Sequence, residues 1–245
     1  MSNKDDLLER YSVHAHFYTL YGFDSDGVRW EKPCRSSLEI TSKEKPPQNQ
    51  GKGDVDAVFV MMNPGSSEPI IYDNQQEIHA EKISFLKTTL VRTYPDDTQF
   101  QVMRVMDEQK LAHVLVINLS DIRNASSNGS KTKSGEDKVG FSKEYKDLED
   151  MRVVAHSIFC EDRRGELQRQ LARVGKGPIV LAWGVGSYLR LLTRRAEDIL
   201  SQKAIVGWAK SKESWKYYHP LPRTKKGKDD WYNNAIESLR AHQNS

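Results

Sequence analysis

The chain has 245 residues, 37% of them apolar, and a formal charge of +3. That length supports one sizeable hydrophobic core and argues against two full domains. No run approaches the roughly 18 apolar residues of a membrane span, the net charge is too small to prove a polyanionic partner, and two cysteines, Cys34 and Cys160, cannot build a four-cysteine zinc or iron–sulfur site.

The opening MSNKDDLLER lacks an apolar signal core, so the cytoplasm is the expected location, without a membrane partner. Next come YSVHAHFYTLYGF and RSSLEI, β-branched and aromatic segments around the turn Asp24-Ser25-Asp26-Gly27, which predict a small β-rich preface. His14 and His16 alternate on the first of these strands, but two ligands without a third do not make a metal site, and neither a metal nor a cofactor is expected. The polar stretch TSKEKPPQNQGKG, residues 41–53, reads as a linker or flexible loop that closes an N-terminal region of residues 1–54.

From Val55 the pattern changes to short continuous apolar runs: VDAVFVMM (55–62), HVLVINL (113–119), PIVLAW (178–183), KAIVGWA (203–209) and the brief WKYY (215–218). Continuous apolarity marks strands covered on both faces, as in parallel sheets flanked by helices. Helices are predicted over 76–93, 100–109, 146–174 with a break near 163–165, 186–200 and 230–241. Alternating strands and helices predict an α/β fold over residues 55–245: an open, doubly wound, mainly parallel sheet flanked by helices.

Ligands of such sheets bind beyond the carboxyl ends of the strands. Those ends carry Asn63-Pro64-Gly65-Ser66-Ser67, then Asn118 with the loop of Asp121, Arg123 and Asn124, then the turn at Gly184, then His219-Pro220-Leu221-Pro222-Arg223. Each has a bland reading. Asn63 alone would serve as an Asx-turn, Asn118 as a buried amide bonded to backbone, His219 as a packed loop histidine, and Leu221 and Trp183 as core. For Asp121, Arg123 and Asn124 a solvated loop stands beside contact with a base or phosphate. The segment 203–228 carries Lys203, Lys210, Lys212, Lys216, Arg223, Lys225, Lys226 and Lys228 against the single acid Glu213, a solvated surface or a phosphate-binding zone.

Taken in order, an apolar strand ending in Asn-Pro-Gly, a strand ending in Asn, one ending in Gly, and a His-Pro loop resemble the uracil-DNA glycosylase superfamily. The Asn-Pro-Gly loop is that of its mismatch-specific branch, related to thymine-DNA glycosylase. The chain is also similar to an uncharacterised group of bacterial proteins with MNPS, NL, WG and HPL motifs. The resemblance spans roughly residues 55–223, and it has departures. Asp-Pro-Tyr-His is missing, Met61-Met62 precede the Asn-Pro-Gly where the mismatch branch has Gly and an aliphatic residue, and Leu221-Pro222-Arg223 replaces a Ser-rich turn.

The resemblance implies a uracil-DNA glycosylase-like fold and a monofunctional DNA glycosylase that flips a modified or mismatched base and hydrolyses its N-glycosidic bond by direct water attack. An amide is no base at neutral pH, so Asn63 would position water and face the cationic sugar, while His219 donates a hydrogen bond to the leaving base. Pro64 and Gly65 would fix the turn, Ser66 and Ser67 would add hydroxyl contacts, and Tyr72 would stack on the base. Asn118 would read its edge, with Arg123 and Gly184 also at the substrate. Leu221 would fill the gap left by the flipped nucleotide, with Arg223, Lys225 and Lys226 on phosphates. DNA is the expected partner, and no obligate protein partner is evident. A bulky modified cytosine in foreign DNA, removed in defence against phage, lies within the range this implies. The rival readings are a non-catalytic sensor of modified nucleotides and a hydrolase of free nucleotides.

Overall fold

Strands that are apolar at every position cannot face water on either side, and in this computed structural model they lie inside a nine-stranded mixed sheet. The structure describes residues 3–47, 49, 51–71, 75–131, 137–211 and 215–244. In chain order the elements are α1 (Lys4–Arg10), β1 (Tyr11–Phe23), β2 (Arg29–Ser42), β3 (Ala57–Met61), β4 (Glu68–Pro69), β5 (Gln76–His79), β6 (Val91–Tyr94), α2 (Asp97–Gln109), β7 (His113–Asn118), β8 (Ser130–Lys131), β9 (Asp137–Lys138), α3 (Phe141–Asp150), α4 (Arg164–Ala172), β10 (Ile179–Ala182), α5 (Arg190–Leu200), β11 (Ile205–Val206) and α6 (Lys225–Gln243).

The main sheet runs β11-β10-β3-β7-β2-β1-β6-β4, with β5 beside β1. β3, β7 and β10 are buried throughout. β3 pairs in parallel with β7 on one flank and with β10 on the other, and β10 pairs in parallel with β11. The chain therefore leaves β3 in one direction and comes back on its far side. Where successive connections diverge in this way, the loops part and open a crevice at the carboxyl ends of the strands.

Helices cover both faces. On one, Phe141 and Leu148 of α3, Leu167 and Leu171 of α4, and Leu192 and Leu200 of α5 pack on Val58, Val60, Leu115 and Ile117. On the other, Leu7 of α1, Val102 and Met106 of α2, and Trp231 and Ile236 of α6 pack on Ala57, Phe59, Val114 and Val116. Alternation along β3 and β7 divides these residues between the two cores. No helix among the described residues is long and apolar enough to cross a membrane.

The expected α/β class is thus present, with three corrections. The sheet is mixed rather than mainly parallel, because β1 and β2 form a long antiparallel hairpin whose second strand pairs antiparallel with β7. What reads in the sequence as a small preface supplies two of the longest strands of the same sheet, and Leu38 and Ile40 sit in its core. Second, the helix predicted over 76–93 is replaced by β5, a 3-10 turn over Ala80–Phe85, and β6. The exposed edge of β1 explains this: Tyr18–Tyr21 takes β5 as a parallel partner and His14–Ala15 takes β6, so backbone pairing overrides a helical apolar pattern. The helix predicted over 146–174 breaks earlier and more widely than expected, into α3, an irregular stretch and α4.

Candidate active site

A cavity of about 270 Å³ opens at the carboxyl ends of β3 and β10, where the connections diverge. Its walls include Asn63 and Gly65 from the turn after β3, Gly184 from the turn after β10, and His219 and Leu221. Three separate stretches of chain thus bring the sequence-predicted Asn63, Gly65, Gly184, His219 and Leu221 to one space.

Asn63 is buried, 8% exposed, and its side chain is not an Asx-turn acceptor. Its Nδ2 donates instead, to the carbonyls of Pro64 (2.9 Å), Ile122 (3.2 Å) and Asn124 (2.7 Å). An amide nitrogen has two hydrogens, so one is shared between acceptors, and its orientation is fixed. Among the described residues Oδ1 has no partner, which leaves an acceptor with its direction set in a side chain that lines the cavity. The same bonds tie the turn after β3 to the loop after β7, and the Asn124 N–H donates back to the Pro64 carbonyl at 3.1 Å.

Two glycines are needed on steric grounds. A Cβ on Gly65 would meet the Asp96 Oδ2 at 2.4 Å, so glycine admits that carboxylate to the cavity wall. Gly184 has φ +103°, a backbone region that side chains rarely adopt, and its N–H donates to the Tyr217 carbonyl at 2.8 Å. This bond brackets the segment leading to His219.

His219 is half-buried, and its Nδ1 accepts a hydrogen bond from the Leu221 N–H at 3.1 Å. Desolvation by its surroundings pushes the imidazole down to about 4, against the opposing pull of Asp96. The ring is therefore neutral at physiological pH, with its proton on Nε2. It is a hydrogen-bond donor without being an acid.

Other expected site residues lie elsewhere. Pro64 and Ser67 are buried behind the turn and Ser66 is exposed; none of the three lines the cavity. Arg123 donates to the Ser67 carbonyl at 2.9 Å and lies over the Phe17 ring, bracing the turn from outside the cavity. Asn118 is fully buried, with neither amide atom hydrogen-bonded among the described residues, and it is not part of the cavity wall. Asp121 is no solvated loop residue: it is fully buried, accepting from Arg163 Nη1 at 2.6 Å and from the Tyr18 hydroxyl at 2.8 Å. Arg223, Lys225 and Lys226 are exposed at the start of α6. Tyr72 lies outside the described residues.

The cavity also contains residues that motif reasoning did not find. Tyr188, half-buried in the turn after Gly184, offers an aromatic ring and donates its hydroxyl to the Met62 sulfur at 3.2 Å. Asp96 is the N-cap of α2, its Oδ1 accepting from the Thr98 and Gln99 N–H groups at 2.9 and 3.2 Å. Arg35 arrives from β2. The sequence held a signal for one of them: Asp96 with Gln99 three residues on is a capping-box pattern.

Beside this cavity, sharing Gly184 and Gly186 with it, lies a second one lined by Arg190, Arg194, Lys216 and Glu197. Among the described residues no three His, Cys, Asp or Glu side chains come together as a metal site. Comparison of the chain with protein-family models, with curated proteins and with solved structures gives no match.

Proposed function

We propose that this protein is a monofunctional DNA glycosylase acting on a modified or mismatched base. The observation that carries the reading is the pairing, across one small cavity, of an amide oxygen fixed by its own nitrogen's bonds with a neutral imidazole donor. Hydrolysis of an N-glycosidic bond builds positive charge on the sugar and negative charge on the base, and it calls for preorganised groups of these two polarities. The Asn63 oxygen orients water and faces the sugar, and the His219 Nε2–H donates to the base. As the C1′–N bond breaks, its electron pair leaves with the base. The water oxygen bonds to C1′, and the water's proton ends on solvent or on the departed base.

Three further features support the reading. The cavity, just below the ~300–1,000 Å³ typical of small-molecule sites, suits a single flipped base better than a whole nucleotide. Tyr188 offers a face for stacking. Arg190, Arg194 and Lys216 line the adjoining cavity, and Arg223, Lys225 and Lys226 are exposed at the start of α6. Lys225 and Lys226 stand at the positive end of a helix with no acid in its first turn, where cations reduce stability, and a phosphate neighbour would relieve them.

The test is release of free base from oligonucleotides carrying uracil, G·T mismatches and modified cytosines. Release from at least one, lost in Asn63→Ala and reduced in His219→Ala, is the expected result. No release from any of them, or release unchanged in both variants, overturns the reading. Turnover of monomers without DNA would identify a nucleotide hydrolase instead.

A further inference from the structure

Arg35 is 2% exposed and lines the cavity, yet it has no carboxylate in ion-pair contact among the described residues. Its side-chain hydrogen bond runs from Nη1 to the Ser67 hydroxyl; Nε is buried without a partner, and Nη2 has none among the described residues. A buried guanidinium with most of its donors idle is costly, and structures retain such groups where something else supplies the acceptor.

The neighbouring charges do not supply it. Asp96 lies in the same wall and its charge favours the guanidinium, but its Oδ1 is engaged by the first amides of α2 and no hydrogen bond or ion-pair contact joins it to Arg35 among the described residues. Asp121 is committed to Arg163 and Tyr18. Arg123 adds a like charge, held on the carbonyl of the same Ser67 whose hydroxyl meets Arg35. Burial pushes the Arg35 guanidinium down to about 10, which leaves it charged at neutral pH.

We propose that Arg35 is an anion receptor in the cavity wall, and that the ligand seated there presents a negatively charged group to the free guanidinium edge. A planar fork of N–H donors matches two coplanar acceptors of one anion, so the shared chemistry is an oxyanion or an ionised heterocycle. Two sources offer it: a nucleobase bearing negative charge, such as the leaving group of the reaction proposed above, or a phosphate. The inference rests on that reading only in taking the cavity as a ligand site, and it is tested without DNA and without turnover.

The experiment is calorimetric titration of the full chain at pH 7 with uracil, with 5-carboxyuracil as its anionic counterpart, and with inorganic phosphate. Wild type, Arg35→Met and Arg35→Lys are compared, each with its melting temperature. At least tenfold tighter binding of an anionic probe than of uracil is expected for the wild type, abolished in Arg35→Met and partly kept in Arg35→Lys. Preference for 5-carboxyuracil alone assigns the anion to the base, and comparable binding of inorganic phosphate assigns it to phosphate. Arg35→Met should melt no lower than the wild type, since an unpaired buried charge is removed. Equal or undetectable binding of all three probes by the wild type overturns the proposal, whether or not the variants fold. So does an anion preference that survives in Arg35→Met. A base-release assay that fails while the anion preference persists would remove the glycosylase reading and leave the receptor.

Discussion

Arg35 and Arg163 are both buried guanidinium groups, and their surroundings are opposite. Arg163 donates to Asp121 at 2.6 Å and doubly to Glu166 at 2.8 and 2.9 Å, and these acids hold its pKa well above the usual value for arginine. Arg35 meets a serine hydroxyl and a cavity. A fold that can close one arginine so fully has the means to close the other. The two carry separate loads: Arg163 locks α4 to the loop after β7, while Arg35 contributes little to that framework.

The largest break in this comparison comes from Arg163→Met, which strands Asp121 as an unpaired buried carboxylate. About 3–5 kcal/mol of stability should be lost, read as a lowered urea midpoint. If Arg163→Met and Arg35→Met unfold at the same midpoint, the contrast between the two arginines is wrong. On the cavity side, Asn63→Ala should cut base release by about 10²–10³-fold, the ~2.7–4 kcal/mol associated with a lost preorganised polar group. Because it also removes the bonds to the loop after β7, single-turnover rates and melting should be measured together.

Gly65→Ala drives a methyl group against Asp96 and should displace the α2 cap, at a cost of about 0.5–2 kcal/mol in stability. A second-site Asp96→Ser, which retains a shorter cap, is expected to restore most of it in thermal melts. The pH response follows from His219 and His16, both pushed down to about 4 by burial. Each has a folded value below its unfolded one of ~6.5, so the folded state binds fewer protons. Stability from this source is complete above about pH 6.5 and declines as pH falls toward 4. Base release should show no acidic limb between pH 5.5 and 8, and an inflection near 6.5 would mean that His219 works as an imidazolium.

The smallest effect is expected at the rim. Lys225→Gln and Lys226→Gln should each raise stability by about 0.3–1 kcal/mol by relieving the helix end, while weakening DNA binding and flattening its salt dependence. DNA affinity unchanged in the double variant would remove these lysines from the interface.

The strand ends were legible because two rules converge on them. Continuous apolar runs located β3, β7 and β10, and the polar residues just beyond them were then candidates wherever a crevice opened. Asn63, Gly65, Gly184 and His219 followed from that. Arg35 could not, because its position depends on a bulge. Pairing shifts between His16/Phe17 and Ser37/Arg35, which leaves Ser36 as an extra residue; Cys34 enters one core while Arg35 reaches the cavity. Such an insertion changes the face that every later residue presents, and nothing in RSSLEI announces it. Asp96 is hidden for another reason: the apolar pattern starts the helix at Phe100, whereas α2 begins at Asp97 and makes Asp96 its N-cap. Asn118 shows the limit of the strand-end rule. The last residue of β7 is still inside the sheet, paired with Met61, and its side chain is fully buried and absent from the cavity wall.

The bond from the Leu221 N–H to the His219 Nδ1 also bears on molecular discrimination. With that lone pair engaged, the imidazole shows the cavity a single polarity, a donor, and the Asn63 oxygen shows only the other. On the proposed function, a heterocycle whose atom facing His219 bears a lone pair would be accepted and one bearing an amino hydrogen there would be refused, much as a lock refuses a key cut in relief. A glutamine at 219 could turn either end of its amide inward, and would trade that keto-over-amino choice for tolerance.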